Sequence, residues 1–524
     1  MTANPQSRPS TEEMPADLPI DVHKLEAQRR TKRDEVAQLG MLPYGQRTDD
    51  LLPLAEAHTH YDQAADKTFQ EHKDPARDTR PRVKIAGRVT LHRDNGKLIW
   101  MNLRDNTRES FQIAVSKKDC DELGFSLAKL TDMGDILIAE GPLMKTRTGE
   151  VTCWASTLRP ASKCLIPPPE KHAGLQDIEL RYRQRYVDMW ANPETTAVLE
   201  LRSRVISAIR AFLAERGFLE VETPMLQTQA GGAAARPFIT HMNALSIDLY
   251  MRIAPELFLK RLLVGGLPRV FEVNRNFRNE GLDKQHNPEF TMLELYQAFG
   301  NYETIMALTE DIVRHAARTA SPAGAAILPF RDGRIDYEQP FDRITYADLF
   351  KQHLGFAITE RDRVRKEAET RGLKVRTEAG VELDHWFLVN ELFETFAEPK
   401  LHPYRPTWIM DYPASLSPLT RPKTSDPSLA ERADLFIGGM EIGPHYTELN
   451  NPDIQSEKFR EQLAGVDDEE STFRTFDEDF INALKVGMPP AGGMGLGIDR
   501  LIMLLANQPT IRDVIAFPMM KPLG

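Results

Sequence analysis

The hydrophobic pattern of the chain changes at about residue 82. Residues 21–40 predict a helix, whereas residues 82–160 contain short alternating or β-branched runs separated by Gly, Asn and Asp. A more helical stretch lies between the third and the fourth of these runs. Five short strands with a helix between strands three and four are typical of an OB-fold barrel.

Longer helices and strands alternate from about residue 180 to the end. Residues 199–216 place Val205, Ile209, Phe212 and Leu213 on one face at helical spacing, and Gly217 ends this helix. The Pro-rich segment 166–169 marks a linker before this region. The predicted organisation is therefore a disordered tail at 1–20, a helix and barrel domain at 21–165, a linker at 166–190 and a second domain at 191–524.

Residues 269–299 predict two strands joined by a polar loop, and each strand has one polar face. Side chains alternate along a strand, so the first strand carries Glu272, Asn274, Asn276 and Arg278 on one face, and the second carries Phe290, Met292, Glu294 and Tyr296. Solvent-facing surface is the ordinary interpretation of a polar strand face. A face that combines Phe, Met, Tyr and a lone Glu favours the alternative, the floor of a ligand site.

Residues 485–505 combine a glycine row with an apolar helix. Gly493, Gly495 and Gly497 recur at period two, which removes the side chains from one face of a strand. Such a row indicates the close approach of a ligand or of another backbone, and tight packing alone is the simpler alternative. Arg500 follows near the start of the helix, where its planar guanidinium could bind a phosphate.

Residues 434–450 contain three acids, Asp434, Glu441 and Glu448, in an otherwise apolar context. Carboxylates among apolar residues are costly unless they are paired or bind a cation. Two cations fit: Mg²⁺ bound to nucleotide phosphates, and a cationic substrate.

Composition limits the location and the partners of the protein. Hydrophobic residues make up 41% and charged residues 27% of the chain, and no apolar run reaches the roughly 18 residues of a membrane span. The N-terminus lacks the apolar core of a secretory signal. Three cysteines without zinc-ligand spacing predict neither disulfides nor a zinc site, and a cytoplasmic location follows as the simplest expectation.

Charge and motifs narrow the function further. The net charge of -11 means that any nucleic-acid surface must be a local patch. The basic cluster at residues 29–33 predicts either a solvated helix face or a nucleic-acid contact, with equal weight. A GK[ST] phosphate loop and an HExxH motif are both absent from the sequence, and GMGLG at 493–497 does not have dinucleotide-binding spacing.

Three stretches in order carry a resemblance to class II aminoacyl-tRNA synthetases. Residues 202–226 resemble motif 1, residues 269–299 resemble motif 2, and residues 493–505 resemble motif 3. The sequences of residues 180–186, 231–238, 252–257 and 446–450 are similar to those of lysyl enzymes. The resemblance implies an α+β fold, in which an OB-fold anticodon-binding barrel precedes a catalytic domain built on an antiparallel sheet flanked by helices.

The resemblance also implies roles for particular residues. The ATP-binding set comprises Arg278, Glu280, His286, Phe290 and Arg500, with Arg278 and Arg500 as the catalytic pair. Asp434 and Glu441 are the implied Mg²⁺ ligands. The implied amino-acid set comprises Gly232, Glu256, Arg278, Glu294, Tyr296, Tyr446 and Glu448; Glu256 would meet the α-ammonium, and Glu294, Tyr296 and Glu448 the ε-ammonium. The implied anticodon set comprises Arg88, Trp100, Gln112 and Glu150.

The activity that the resemblance implies has two steps. Lysine would be activated by ATP to an aminoacyl-adenylate and transferred to the 3′ end of tRNA, by a homodimer joined through motif 1. Two alternatives stay open: a related enzyme that activates a lysine-like amino acid or uses an acceptor other than tRNA, and a catalytically inactive tRNA-binding protein. A non-enzymatic OB-fold protein is remote because the three motifs occur in order.

The sequence departs from the lysyl pattern near the expected amino-acid pocket. Pro444-His445 stands where lysyl enzymes have Asn and a small residue, and Lys485-Val486 replaces Glu-Tyr. Proline offers neither an amide side chain nor a backbone donor. We expect these departures to cluster on the amino-acid side, whereas the ATP side is nearly intact.

Overall fold

The computed structural model of the chain describes residues 20–167, 175–233, 235–377, 380–464 and 476–523. These residues fall into two compact units, one within Met1–Arg181 and Tyr186–Asn192, the other within Tyr182–Arg185 and Pro193–Gly524. The predicted tail at 1–20 lies, except for residue 20, outside the described residues, as do residues 168–174 of the predicted linker.

The first unit is a β-barrel with short helices. Its elements are α1 (Ile20–Gln38), α2 (Leu54–Thr59), α3 (Gln63–His72), β1 (Arg82–Asp94), β2 (Leu98–Arg104), β3 (Phe111–Ser116), α4 (Glu122–Leu130), β4 (Ile136–Lys145), β5 (Val151–Trp154) and β6 (Thr157–Ser162). The strands follow the order β1-β2-β3-β5-β4-β6, and a further β1–β4 pairing closes the barrel. The OB-fold prediction is confirmed, including α4 between the third and fourth strands.

Alternation of apolar and polar residues builds this barrel. Along β2, Ile99, Met101 and Leu103 are fully buried, whereas the residues between them are half-exposed. The barrel core therefore forms from every second residue of a strand, and the outward residues share one face. The last predicted strand is two strands in the structure, because Ala155 and Ser156 separate β5 from β6.

The second unit is larger and mixes helices with sheets. Between the barrel and this unit the chain forms α5 (Ile178–Arg183) and α6 (Arg185–Ala191). The helices of the unit itself are α7 (Pro193–Glu215), α8 (Glu256–Val264), α9 (Tyr302–Ala320), α10 (Tyr346–Leu354), α11 (Arg361–Thr370), α12 (His385–Leu392), α13 (Pro452–Ala464), α14 (Glu478–Gly487) and α15 (Ile498–Leu505). Its strands are β7 (Leu219–Glu220), β8 (Leu226–Gln227), β9 (Ile239–Met242), β10 (Ile247–Met251), β11 (Arg269–Phe277), β12 (Glu289–Ala298), β13 (Ile327–Phe330), β14 (Gly333–Asp336), β15 (Asp342–Thr345), β16 (Thr407–Met410), β17 (Arg432–Ile437), β18 (Met440–Thr447) and β19 (Ala491–Gly497).

An eight-stranded sheet is the frame of this unit, in the order β15-β16-β17-β18-β19-β12-β11-β7. The pairings from β16 to β11 are antiparallel, and the two edge pairings are parallel. Buried residues of α7, α9 and α15 pack with the inward residues of the central strands in one hydrophobic core. The predicted class, an antiparallel sheet flanked by helices, is confirmed.

Local patterns were reliable where an apolar stripe was long. Val205, Ile209, Phe212 and Leu213 of α7 are buried in the core as the spacing predicts. Gly217 has a φ of 76°, a left-handed conformation that suits glycine at a helix end. In the part of the chain that the structure describes, no helix is both long and apolar enough to cross a membrane.

The start of α15 links three segments that are far apart in the sequence. Asp499 is buried and accepts a hydrogen bond of 2.5 Å from Nη1 of Arg202 on α7. The other carboxylate oxygen accepts from the backbone N–H of Thr291 on β12, at 2.7 Å. The segments that resemble motifs 1, 2 and 3 therefore meet at one buried carboxylate.

Candidate active site

A cavity of about 360 Å³ lies over the central strands of the large sheet. Its floor is formed by β12 and β19, and its walls by the loop between β11 and β12, by β18, and by the starts of α8 and α15. Many predicted site residues line it: Gly232, Glu256, Arg278, Glu280, His286, Phe290, Glu294, Tyr296, Glu441, Tyr446 and Arg500. Asp434 and Glu448 are buried nearby and do not line it.

The glycine row of β19 gives the cavity its depth. Gly493 pairs with Tyr296 and Gly495 pairs with Glu294 on β12. A Cβ atom on Gly493 would overlap the carboxylate of Glu448 and the ring of Tyr296, and one on Gly495 would lie 2.9 Å from Cε of Met292. Larger residues would therefore displace the floor, in agreement with the close approach that the spacing predicts.

Arg500 and His286 form one end of the cavity. Arg500 donates from Nη1 to the carbonyl oxygen of Glu441 at 2.6 Å, and its Nη2 lies 3.0 Å from Nε2 of His286. Because arginine can only donate, Nε2 of His286 must accept, and Nδ1–H of His286 then donates to Asp283 at 2.7 Å. Arg500 is thus held with its guanidinium at the cavity wall, which is a geometry suited to an anion.

Arg278 lies between this end and the floor. Its guanidinium is 5.2 Å from the ring centre of Phe290. Its Nε is buried and has no hydrogen-bond partner among the described residues. A buried donor without a partner is costly, so this group is arranged to bind an anion beside an aromatic face.

Carboxylates surround the outer wall near Arg500. Arg432 donates to both oxygens of Asp434, at 2.9 and 2.6 Å. Burial and Asp434 raise the pKa of Glu441, and Arg500 opposes this shift. Burial and the nearby Glu441 likewise raise the pKa of Glu398 to about 8. A divalent cation bound at this wall would favour the ionised carboxylates.

A buried ion-pair cluster adjoins the opposite end of the cavity, which Glu256 lines. Lys260 and Glu256 lie one turn apart on α8, and Nζ of Lys260 is 2.6 Å from Oε1 of Glu256. The same Nζ contacts Oε2 of Glu448, and the side chains of Lys260 and Glu448 are both 0% exposed. Glu448, which we expected to meet a substrate ammonium, thus already contacts an ammonium of the protein itself.

Glu294 lines this end of the cavity and forms no ion pair among the described residues. Tyr296 donates to its Oε2 at 3.3 Å, and Nδ2 of Asn276 lies 3.5 Å from its Oε1. Burial and the nearby Glu256 raise the pKa of Glu294 to about 8, and Arg252 and Arg278 oppose the shift. An ammonium group bound beside Glu294 would favour its ionised form, so this carboxyl group is suited to bind a cation.

The departures from the lysyl pattern do not all reach the cavity. Pro444 lines it, but His445 points to the other face of β18, where its ring lies edge-on to Trp408 and its Nε2 is 2.8 Å from Oγ1 of Thr309. Burial lowers the pKa of His445 to about 3, so the ring is neutral. Lys485 and Val486 are exposed on α14. The expectation that these departures cluster on the amino-acid side is therefore wrong except for Pro444.

Sequence reasoning missed three charged residues next to this site: Lys260, which is buried, and Glu398 and Arg432, which are half-buried. A signal for Lys260 was present, because it lies four residues after Glu256 on an otherwise apolar helix face. Arg432 precedes Asp434 by two residues and shares its strand face, which predicts a pair. Nothing in the sequence near Glu398 indicates that it lies close to Glu441.

The barrel of the first unit carries a second group of predicted residues. Trp100, on β2, lies edge-on to Trp154 with ring centres 6.1 Å apart, and Gln112 accepts a hydrogen bond of 2.8 Å from Thr152. Strand register places Arg88, Trp100 and Gln112 on the same outward face. The guanidinium of Arg88 donates to the carbonyl of Gly134 and lies over Trp190 of the same unit, and Glu150 is exposed just before β5.

Two families match the chain. The family described as tRNA synthetases class II (D, K and N) matches residues 177–521. The family described as OB-fold nucleic acid binding domain matches residues 83–161.

Similar proteins extend along almost the whole chain. A protein of Pelotomaculum thermopropionicum named lysine–tRNA ligase is 46% identical over 509 residues, covering 96% of each chain. A protein of Bordetella bronchiseptica with the same name is 44% identical over 521 residues, covering 98% of this chain and 99% of the relative. Another, of Carboxydothermus hydrogenoformans, is 42% identical over 503 residues, 96% of this chain and 99% of the relative. With its three motifs joined at Asp499 and its OB-fold barrel, this chain belongs to the class II tRNA synthetases of the D, K and N group.

Proposed function

We propose that this chain is a lysine–tRNA ligase, which activates lysine with ATP and transfers it to the 3′ end of tRNA(Lys). The observation that carries the proposal is the cavity, in which Arg500 and Arg278, whose buried Nε has no partner among the described residues, lie at one end and buried carboxylates at the other. Lysine is an amino acid with a second ammonium group, and ATP is a polyanion. The names of the similar proteins agree with this substrate pair.

Arg278 and Arg500 would act in the first step. The lysine carboxylate attacks the α-phosphorus of ATP, the bond to the β-phosphate oxygen breaks, and lysyl-adenylate and pyrophosphate form. Arg278 would bind the α-phosphate and the attacking carboxylate, and Arg500 the γ-phosphate. This chemistry depends on positioning and on neutralising charge, so it needs no nucleophile from the protein. Phe290 would stack on adenine, with Glu280 and His286 near the base and phosphates.

Mg²⁺ fits the carboxylate wall of the cavity. In the described parts of the chain no cluster of three or more His, Cys, Asp or Glu side chains is arranged to hold a metal. Mg²⁺ in nucleotide sites, however, uses one or two carboxylates together with the phosphates. Glu441 and Asp434 would hold it, and a cation there would favour the ionised form of Glu441, whose pKa burial and Asp434 raise. When bound, Mg²⁺ would neutralise charge on the phosphates.

The amino-acid end would select lysine by its two ammonium groups. Glu256 would accept the α-ammonium beside Gly232, and Glu294, Tyr296 and Glu448 would surround the ε-ammonium, with Tyr446 in the wall. Amino acids without a second amine would leave Glu294 buried and unpaired. A polar group left unpaired in this way costs about 1–3 kcal/mol, which supports discrimination against them.

The barrel would select the tRNA. Trp100 would stack on an anticodon base, with Arg88, Gln112 and Glu150 around it. The proposal includes a homodimer joined through residues 202–226, a cytoplasmic location, and the domain boundaries at residues 165 and 190. A related enzyme that uses a lysine-like amino acid or a different acceptor remains the second candidate, and Pro444 in the cavity wall is the observation that favours it.

A charging assay tests this function. The purified chain is incubated with ATP, Mg²⁺, total tRNA and radiolabelled lysine or ornithine, and the label in acid-precipitable tRNA is counted. We expect lysine to enter tRNA and treatment with RNase to release it. Lysine-dependent pyrophosphate exchange without charging of tRNA would instead identify an acceptor other than tRNA. Charging with ornithine in preference to lysine would overturn the assignment of the amino acid.

A further inference from the structure

The buried ammonium of Lys260 lies behind the end of the cavity that we propose receives the ammonium groups of the substrate. It contacts Glu256, proposed for the α-ammonium, and Glu448, proposed for the ε-ammonium. All three side chains are less than a tenth exposed. Two acceptors for opposite ends of one substrate are therefore joined through one nitrogen atom of the protein.

The geometry points to Lys260 as a positioning residue that fixes the spacing of the lysine-binding carboxylates and so sets the length of the amino acid that is activated. This inference rests on the proposed activation of lysine. Lys260 would not touch the reacting atoms. Its effect would pass through Glu256 and Glu448, which it holds at fixed places.

The surroundings of Lys260 hold it in one place. It lies on α8, a short helix whose Leu257, Leu259 and Leu263 are buried in a hydrophobic core. Glu256 belongs to the same helix, so its distance from Lys260 is set by one helical turn. Burial lowers the pKa of Lys260, but Glu256 and Glu448 outweigh burial and raise it to about 12. The ammonium therefore stays charged in all conditions under which the enzyme would work.

Glu448 is positioned by the large sheet, whereas Lys260 and Glu256 are positioned by α8. It follows β18, and its backbone N–H donates to the carbonyl of Ala491 at 2.8 Å. The absence of a side chain at Gly493 leaves room for its carboxylate. One of its oxygens contacts Lys260, and the other, Oε1, accepts no hydrogen bond from the residues that the structure describes. Its Oε1 faces Gly493, and the contact of Oε2 with Lys260 holds the carboxylate in this buried position.

Charge explains why a neutral residue would not replace Lys260. Without its ammonium, Glu256 and Glu448 would be two carboxylates close together in a buried site, with Glu294 as a third. Like charges at short distance cannot all remain ionised, so protons would bind or the side chains would separate. Either response changes the places that accept the two ammonium groups. The preference for lysine over ornithine, which is one methylene shorter, would then weaken.

The test compares variants of two neighbouring cations on α8. Lys260→Met removes the charge at nearly constant volume, and Lys260→Gln keeps a hydrogen-bond donor without the charge. Arg261→Met is the matched control, because Arg261 pairs with Asp477 at 2.9 Å and does not line the cavity. Lysine- and ornithine-dependent ATP–pyrophosphate exchange are measured for each variant of the full-length protein, together with the KM for ATP and the Tm.

We expect both variants of Lys260 to raise the KM for lysine about tenfold or more, because a buried charge partner is lost. The ratio of kcat/KM for lysine to that for ornithine should fall by a similar factor, and the KM for ATP should stay within about twofold. Arg261→Met should change none of these. If Lys260→Met does not fold, Lys260→Gln decides.

Three outcomes would overturn the inference. The first is an unchanged KM for lysine and an unchanged lysine-to-ornithine ratio in a folded variant of Lys260. The second is a parallel loss of Tm, ATP binding and lysine binding at an unchanged ratio, which indicates a structural role alone. The third is a normal Lys260→Gln beside a defective Lys260→Met, which indicates a hydrogen bond and not a charge. Failure of the proposed function is distinct, because the unmodified protein would then show no lysine-dependent exchange.

Discussion

The two ends of the cavity use charge in different ways. At the phosphate end, Arg278 has a buried Nε without a partner in the described structure, and Arg500 is held at the wall by a carbonyl and a histidine. At the amino-acid end, cations and carboxylates of the protein neutralise each other in buried pairs, Lys260 with Glu256 and Arg252 with Glu272. The first end is arranged to receive an anion, whereas the second pairs part of its own charge and leaves Glu294 without an ion pair among the described residues.

This difference has consequences for selectivity. A partly exposed phosphate end can bind any nucleotide triphosphate tail, because arginine forks match phosphate oxygens in general. A buried end that holds several charges is sensitive to a change of one charge or one methylene, because little water is present to compensate. We therefore expect substitutions at the phosphate end to remove catalysis and substitutions at the amino-acid end to alter substrate preference.

The largest effect should come from the phosphate end. Arg278→Ala should lower kcat/KM for pyrophosphate exchange about a thousandfold or more, because the guanidinium would neutralise charge that develops in the transition state. The measurement is lysine-dependent exchange at saturating ATP. Arg318→Ala is the control, since Arg318 on α9 forms an exposed ion pair with Glu338. This variant should leave exchange unchanged. A loss of less than about tenfold in Arg278→Ala would contradict the role of this end.

A smaller and more selective effect is expected at Glu294. Glu294→Gln should raise the KM for lysine about ten- to hundredfold and leave the KM for ATP nearly unchanged, because one charged hydrogen bond to the substrate is lost. Initial rates at varied lysine and fixed ATP provide the measurement. Equal changes of both KM values would show that the two ends are not independent.

The pH dependence of lysine binding sharpens the same point. The pKa of Glu294 is raised to about 8 by burial and Glu256, so below that pH the carboxyl group carries a proton. An ammonium group favours the ionised carboxylate, and lysine must therefore displace this proton at lower pH. The KM for lysine should fall as the pH rises from about 6 to about 8. The slope should be shallower in Glu294→Gln, and an equal slope in both proteins would assign the titration to another group.

Substitutions in the barrel should affect only the second step of the reaction, the transfer of lysine to tRNA. Trp100→Ala should raise the KM for tRNA on the order of tenfold, because stacking on one base contributes about 1–3 kcal/mol. Lysine-dependent exchange without tRNA serves as the internal control and should not change. Normal charging by this variant would remove Trp100 from the interface.

The smallest effect on activity is expected at His445. His445→Ala should lower the free energy of unfolding by about 1–3 kcal/mol, because it leaves a hole beside Trp408 and removes a buried hydrogen bond to Thr309. The KM for lysine should change less than about threefold. Pro444→Asn is the matched comparison, since Pro444 lines the cavity and should change the KM for lysine without a comparable loss of stability. Urea denaturation and exchange kinetics separate the two.

Much of the fold was predictable because the information is local. The stripe of α7, the alternation in β2 and the glycine row of β19 each follow from a period that the backbone imposes. The phosphate end of the cavity was also predictable, because Arg278 and Arg500 lie in segments whose residue spacing resembles motifs 2 and 3.

The amino-acid end was less predictable because its charges are paired over long sequence distances. Lys260 and Glu448 are 188 positions apart in the sequence, and the residues around each of them do not indicate that the two are in contact. His445 and Lys485 occupy positions that the sequence places near the pocket, but strand alternation turns the first into the core and the helix turns the second to solvent. Such outcomes depend on which face a residue takes in the assembled sheet.

Lysine-dependent ATP–pyrophosphate exchange by the unmodified protein tests the central claim most directly. The assay follows labelled pyrophosphate into ATP with lysine, ornithine, norleucine and arginine offered singly, in the absence of tRNA. We predict saturable exchange with lysine, weaker exchange with ornithine, and none with norleucine, which lacks the second ammonium group. Exchange with norleucine equal to that with lysine, or no exchange with any of the four, would contradict the account of the two ends.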